Sequence, residues 1–151
     1  MAESASRELR EVATQELLSA YGKGDRDFRN IRVINQSLEG CNLQNADFSG
    51  SQFQNVNFQG ANLNGVKFRG TNLEDINFQQ AKVKGTTFQQ ATLNRVTFTG
   101  SRFQETDFIK ASITSSNFNQ TTLKGKGVRF NNASWYRFSR IGFARIHFCR
   151  Q

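Results

Sequence analysis

The side chains able to do acid–base or nucleophilic work are few in this sequence and poorly placed for it. His147 is the single histidine, and a lone imidazole provides neither a nucleophile–base relay nor a metal cluster. Asp47, Asp75, Glu105 and Asp107 read as scattered surface carboxylates. Cys41 and Cys149 are the only cysteines, too few for a disulfide framework, and are expected to be free thiols. The glycines obey a spacing unrelated to a phosphate-cradling loop. These residues predict no enzyme, no cofactor and no metal site.

The chemistry that remains is electrostatic. The chain carries a formal charge of +8, and the excess is not spread evenly. Residues 1–107 hold 12 basic and 12 acidic residues, whereas residues 108–151 hold Lys110, Lys124, Lys126, Arg129, Arg137, Arg140, Arg145 and Arg150 and no Asp or Glu. Lys124, Lys126, Arg129, Arg137, Arg140, Arg145 and Arg150 form the candidate surface for an anionic partner: an acidic protein, a nucleic acid or an anionic lipid. Trp135, Tyr136 and His147 lie near them in sequence and could stack on bases. The plainer alternative is a solvated terminal segment, kept soluble by charge, with its aromatics packed at an edge.

Positioning these groups falls to a repeat. The 151 residues suit one domain. Hydrophobic residues make up 36%, the mean hydropathy is −0.60, and there are 15 Phe against one Trp and no Pro. Such polarity alone would fit disorder; the arrangement argues otherwise. Every fifth position from Phe28 to Phe148 is apolar, and 14 of the 15 Phe share this register. Two residues earlier, from Cys41 to Thr121, stand only Cys, Ala, Ser, Thr, Val or Ile. Two residues after a centre stand eight of the twelve Gly and also Asn30, Asn35, Asn45 and Asn55, the residue types that tolerate turn conformations.

A period of five suits neither common element. On an α-helix the centres would spread over every face, and on a straight strand they would alternate sides. One buried row requires a corner every five residues and a chain wound on itself. With four sides per coil, one side collects Phe28, Phe48, Phe68, Phe88, Phe108 and Val128, and the opposite one Leu38, Phe58, Phe78, Phe98, Phe118 and Phe138. Two Phe ladders would then fill the interior, with Leu, Val and Ile on the other sides. The winding also stacks Lys82, Lys84 and Arg102, with Lys124, beside centres 83, 103 and 123 as a secondary basic stripe.

Ala46-Asp47-Phe48, Ala61-Asn62-Leu63 and Val56-Asn57-Phe58 resemble the Ala-(Asp/Asn)-(Leu/Phe)-X-X consensus of the pentapeptide-repeat family, over residues ~26–150. The resemblance implies an all-β solenoid, a right-handed quadrilateral β-helix of about six coils. Glu16 to Gly22, running into Asp27 and Phe28, is also similar to the N-terminal caps of stand-alone cyanobacterial members. The family's quinolone-resistance members imitate DNA with acidic rods and dimerise through their C-terminal ends. This chain has the opposite charge, which weighs against a DNA mimic directed at topoisomerases.

Residues 1–24 are expected to form a capping helix and linker, and 25–151 the β-helix. Leu9, Val12, Ala13, Leu17, Ala20 and Tyr21 share a helical face over ~6–21, with Gly22 as its stop. That helix would cover the open first coil, a partner-binding role being the alternative. Around Lys124 to Gly127 the register stutters: a local reading puts Phe130 and Trp135 at centres, after Val128 and Ala133, a slip of two residues that Phe138 reverses. The resulting bulge over 124–137 reads as a structural accommodation or a recognition feature. The C-terminal end either caps itself or joins another copy, giving a monomer or an end-to-end homodimer. No apolar run reaches the ~18 residues of a membrane span, and Met1-Ala-Glu-Ser-Ala-Ser has no apolar stretch of signal-peptide type. A soluble, cytoplasmic protein is expected. Its function would be that of a non-enzymatic scaffold meeting another protein, with nucleic-acid binding through the basic end as an alternative.

Overall fold

A computed structural model of the chain describes residues 8–123, 128–130 and 134–136. The chain winds as a parallel β-solenoid of about five turns over these residues, against the six expected over the whole repeat. Successive coils pair twenty residues apart, as in Gln52↔Asn72, Leu73↔Leu93 and Lys82↔Arg102. Sides are numbered here from the one holding Phe28; the second, third and fourth hold Val33, Leu38 and Leu43.

The strands are short because a corner interrupts the chain every five residues. On the second side β2 (Ile31–Ile34), β3 (Gln52–Asn57), β4 (Asn72–Asn77), β6 (Thr92–Asn94), β8 (Ser112–Thr114) and β10 (Ser134–Tyr136) form one parallel sheet. On the fourth side β5 (Lys82–Lys84), β7 (Arg102–Gln104) and β9 (Thr122–Leu123) form another. The remaining contacts are single bridges, such as Asp47↔Lys67 and Asn77↔Thr97.

Every corner residue from Asn30 to Gln120, at intervals of five, has positive φ. This is the left-handed region in which Gly and Asn are least penalised. The expected Asn corners and seven of the eight Gly corners are therefore confirmed, Gly125 lying outside the described residues. The conformation also extends to Asp75, Gln80, Gln90, Arg95, Glu105, Lys110, Ser115 and Gln120, whose types did not announce it. At Gly65 the backbone turns at φ +70 beside the Asn45 side chain, and an added Cβ would meet its amide oxygen. The Asp or Asn preceding many centres has a matching task. Its side-chain oxygen accepts the amide two residues on, from Asn57 to Gln59 at 3.0 Å and from Asn77 to Gln79 at 2.9 Å. A peptide donor turned outward at the corner is thereby satisfied locally.

The interior is the expected pair of Phe ladders. Phe48, Phe68, Phe88 and Phe108 stack at 5.6, 5.2 and 4.9 Å between neighbours. Phe58, Phe78, Phe98 and Phe118 stack opposite them at 5.1, 5.0 and 4.8 Å. Across the axis the ladders meet edge to face, as in Phe78–Phe88 (75°) and Phe88–Phe98 (86°), the orientation that sets a ring's positive rim on its neighbour's negative face. The small positions from Ala46 to Ala111 are buried too, while Cys41, Ser116 and Thr121 are partly exposed. Where they carry hydroxyls, these donate to backbone carbonyls: Thr86 to Leu63 at 2.8 Å and Ser101 to Phe78 at 2.6 Å. Burial thus leaves them satisfied.

Two expectations need correction. The first ladder is continued by Phe130, 4.9 Å from Phe108, and not by Val128. The pairs Asp107↔Arg129 and Ser112↔Ser134 are 22 residues apart, so the two-residue slip is real. Thr122 still pairs with Arg102 in the twenty-residue register, which places the extra pair between Leu123 and Val128. The physical reason is that a stacked ring conserves the ladder better than Val128 would. The return to the original phase at Phe138 lies outside the described residues.

The N-terminal helix is also shorter than expected. α1 spans Thr14–Gly22, whereas Arg10–Glu11 form β1, paired in parallel with β2. The open edge of the first coil has unpaired peptide groups, and strand pairing there prevails over helical propensity; Val12 donates to Arg32 at 2.8 Å. Leu17 is buried, Leu18, Ala20 and Tyr21 pack against the core, and the Tyr21 hydroxyl donates to the Gln44 carbonyl at 3.0 Å. The helix does cover the first coil.

Candidate functional site

Because inward positions are occupied by the ladders, each coil offers solvent only the residues flanking its four centres and those at its corners. Stacking brings those residues next to their counterparts one coil away, at the ~4.8 Å spacing of paired strands. Charge on the exterior is consequently decided by what lies twenty residues apart.

On the first and second sides, opposite charges meet across coils. Lys67 lies 3.9 Å from Asp47, and Arg129 lies 3.3 Å from Asp107 across the slip. At the corner after the second side, Arg95 Nε donates to Asp75 Oδ1 at 2.6 Å, and its Nη2 to Asp75 Oδ2 at 2.9 Å and Glu74 Oε1 at 2.6 Å. These bonds, Asp75's first, push the Arg95 pKa up, and Arg95 in turn lowers that of Asp75. Arg29 grips Asp27 through two bonds of 2.8 Å, which hold the Asp27 carboxyl at about 2. The twenty-residue spacing of Asp75 and Arg95 was a signal that could have revealed their pairing.

Asp107 is not the scattered surface carboxylate that the sequence led us to expect. It is 6% exposed and accepts the Gln89 amide at 2.7 Å and the Ile109 backbone amide at 2.9 Å in addition to the Arg129 contact. A buried charge requires such partners, so its role is structural, at the coil where the register slips. Beside it runs an open groove of ≈ 530 Å³ on the first side, whose lining includes Lys67, Arg69, Gln89 and Arg129.

The fourth side differs. Lys82 and Arg102 are register partners in β5 and β7, and Lys84 flanks the same centre as Lys82. All three are exposed; the Lys84 backbone amide donates to Asn64 Oδ1 at 2.9 Å, but none of the three charged head groups has an ion pair or hydrogen bond with any described residue. With Asn64, Phe103 and Gln104 they line a shallow depression of ≈ 230 Å³. The structure thus brings together the secondary stripe as far as Arg102. Of the main candidate surface it describes only Arg129, which is exposed on the first side and paired with Asp107. Lys124, Lys126, Arg137, Arg140, Arg145 and Arg150, like His147 and Cys149, lie outside the described residues. Cys41 is a free, half-buried thiol whose pKa burial raises. Among the described residues no group of three or more His, Cys, Asp and Glu could hold a metal ion, and no helix is long and apolar enough to cross a membrane.

The sequence patterns of two families, "Pentapeptide repeats (8 copies)" and "Pentapeptide repeats (9 copies)", match residues 37–70 and 68–112. The chain belongs to the pentapeptide-repeat family. Neither match indicates a catalytic family. Solved structures similar to it include a pentapeptide repeat protein, Rfr23, from the cyanobacterium Cyanothece 51142, at 20% identity over 85% of this chain and 83% of that one, TM-score 0.44. Another is alr5209, a pentapeptide repeat protein from Nostoc Pcc 7120, at 21% identity over 86% and 90%, TM-score 0.44. A third is a pentapeptide repeat protein of the Arabidopsis thaliana thylakoid lumen, at 20% identity over 74% of this chain, TM-score 0.44; the match spans 63% of that longer chain's length. No curated protein matches the sequence.

Proposed function

We propose that the protein is a non-enzymatic interaction module, a stacked rod that holds an acidic protein partner through basic surface. The observation that carries this reading is the charge imbalance. Carboxylates and cations balance through residue 107, after which eight cations follow with no acid to answer them. Cross-coil pairing of the kind seen at Asp47–Lys67 is unavailable to such a segment except where an earlier acid lies beneath, as Asp107 does beneath Arg129. Uncompensated cations on a fixed scaffold attract and orient an anionic partner, mainly through association rate and specificity.

The test is capture from the source cells with wild-type protein and with a variant carrying Arg137→Glu, Arg140→Glu and Arg145→Glu. Wild type is expected to retain acidic proteins that salt releases and that the variant loses. Recovery of the same set by both would eliminate the basic segment as the site. Nucleic-acid binding is a competing reading. It predicts affinity for duplex DNA falling steeply with salt, and absence of binding at low ionic strength removes it. A DNA mimic is disfavoured by the sign of the charge; inhibition of gyrase supercoiling at stoichiometric protein would restore it.

A further inference from the structure

On the first side the like-charged register pair Asp27 and Asp47 is answered by Arg29 and Lys67, whereas on the fourth Lys82 stands directly against Arg102 with no counter-charge among the described residues. Like charges facing each other across strands are destabilising. No described carboxylate comes within ion-pair distance of either, although their flanking neighbours on that side, Asn62, Asn64, Gln104 and Thr122, are neutral and leave both exposed. The arrangement costs stability in the free protein, and a bound anion between the two coils would reverse that cost.

The geometry also restricts the anion. Lys82 and Lys84 are two residues apart on β5, about 6.6 Å at the strand rise. An extended peptide has the same interval between side chains of one face. A strand alternating acidic and neutral residues, laid along β5, would set one carboxylate between Lys82 and Arg102 and the next on Lys84. The Asn64 and Gln104 amides lie beside that track. Phe103, the only aromatic lining the depression, is 1% exposed and belongs to the core, so no ring is free for base stacking, the feature that sequence-tolerant single-strand binders use.

We infer that the Lys82–Lys84–Arg102 face is a docking site for an extended acidic peptide segment with carboxylates at alternate positions. This rests on the interaction-module reading above and adds to it a second site, apart from the C-terminal cations, with a defined ligand spacing.

The experiment uses the full chain and two fluorescein-labelled octapeptides of equal composition, one alternating Glu and Ser and one with its four Glu in a block. Anisotropy is read in about 50 mM NaCl, with an oligo-dT strand as a third probe. The alternating peptide is expected to bind more tightly than the block peptide. Lys82→Gln with Arg102→Gln should weaken it roughly tenfold, while Lys67→Gln with Arg69→Gln, an equal charge change on the first side, alters it less than about twofold. The Lys82/Arg102 variant is also expected to melt at or above the wild-type temperature, since two like charges at register-paired positions are removed. Equal loss in both double variants, equal binding of the two peptides, or tighter binding of oligo-dT than of either peptide would each overturn the inference, as would a lowered melting temperature. Failure of the alternating peptide to bind wild type overturns it as well. The capture experiment with the Arg137, Arg140 and Arg145 variant judges the broader reading separately.

Discussion

Replacing Phe88 with Ala removes the ring at the centre of both aromatic contacts that define the interior. Phe88 is fully buried. It stacks on Phe68 at 5.2 Å and 9° and on Phe108 at 4.9 Å and 6°, and meets Phe78 and Phe98 edge to face at 5.9 and 5.7 Å. A buried Phe→Ala change costs about 3–5 kcal/mol. Four ring neighbours, each worth roughly 0.5–1.5 kcal/mol beyond area burial, place Phe88→Ala at the upper end. The corners above and below are anchored by stacked backbone bonds, so the cavity has little means of collapsing. Phe28, at the start of the same ladder, is 7% exposed and stacks on Phe48 alone at 5.6 Å; Phe28→Ala is expected to cost about half as much.

Urea unfolding followed by far-UV circular dichroism measures both variants. The single tryptophan, Trp135, sits in β10 on the last described coil and supplies an independent fluorescence probe of that end. In the wild type the two signals should coincide. In Phe88→Ala they should separate, because coils of a solenoid communicate only through their neighbours and a gap in the middle uncouples the ends. A loss below about 1 kcal/mol, or an equal loss at Phe28, would refute the view that ring stacking along the axis holds the coils together.

Two further predictions concern the corners and the surface. Ser115 occupies the left-handed region at φ 50, so Ser115→Gly is expected to stabilise the protein by about 0.5–1 kcal/mol, the conformational penalty of about 1–2 kcal/mol less the greater unfolded freedom of glycine. A lower denaturation midpoint for that variant would contradict the corner assignment. The Asp27 carboxyl, held at about 2 by the side-chain and backbone bonds from Arg29, should titrate in an NMR experiment well below the ordinary carboxylate range. Its folded value is depressed, so its contribution to stability is complete above about pH 4 and is lost as pH falls through about 2. Arg29→Gln should return the midpoint to near 4, and a wild-type midpoint already there would show the pair to be unformed.

Much of this molecule was legible in the residues because a five-residue period with a single apolar row has one compact solution. Phe48, Phe68 and Phe88 belong to one row in the sequence and to one stack in space; Asn30 and Asn35 mark turns in the first and make them in the second. The Lys82–Arg102 register pairing could be read too, since twenty residues make one coil. What escaped were features governed by competition between neighbours. Residues 10–11 have helical spacing but pair as a strand, because an open sheet edge offers hydrogen bonds that a helix of that length does not outbid. Asp107 has the look of any repeat carboxylate, and its burial depends on Gln89 and Arg129 closing over it.

Among the described repeats the sequence by itself determined the winding: where the chain turns, which side chains face the axis, and which side the charges through Lys110 occupy, all of which follow from local spacing. Only the tertiary structure decided which charges are satisfied and where the two extra residues after Leu123 are absorbed. Those depend on side-chain reach between coils and on Phe130, rather than Val128, completing the stack. Local periodicity cannot encode either, because both are settled by the neighbour a whole coil away.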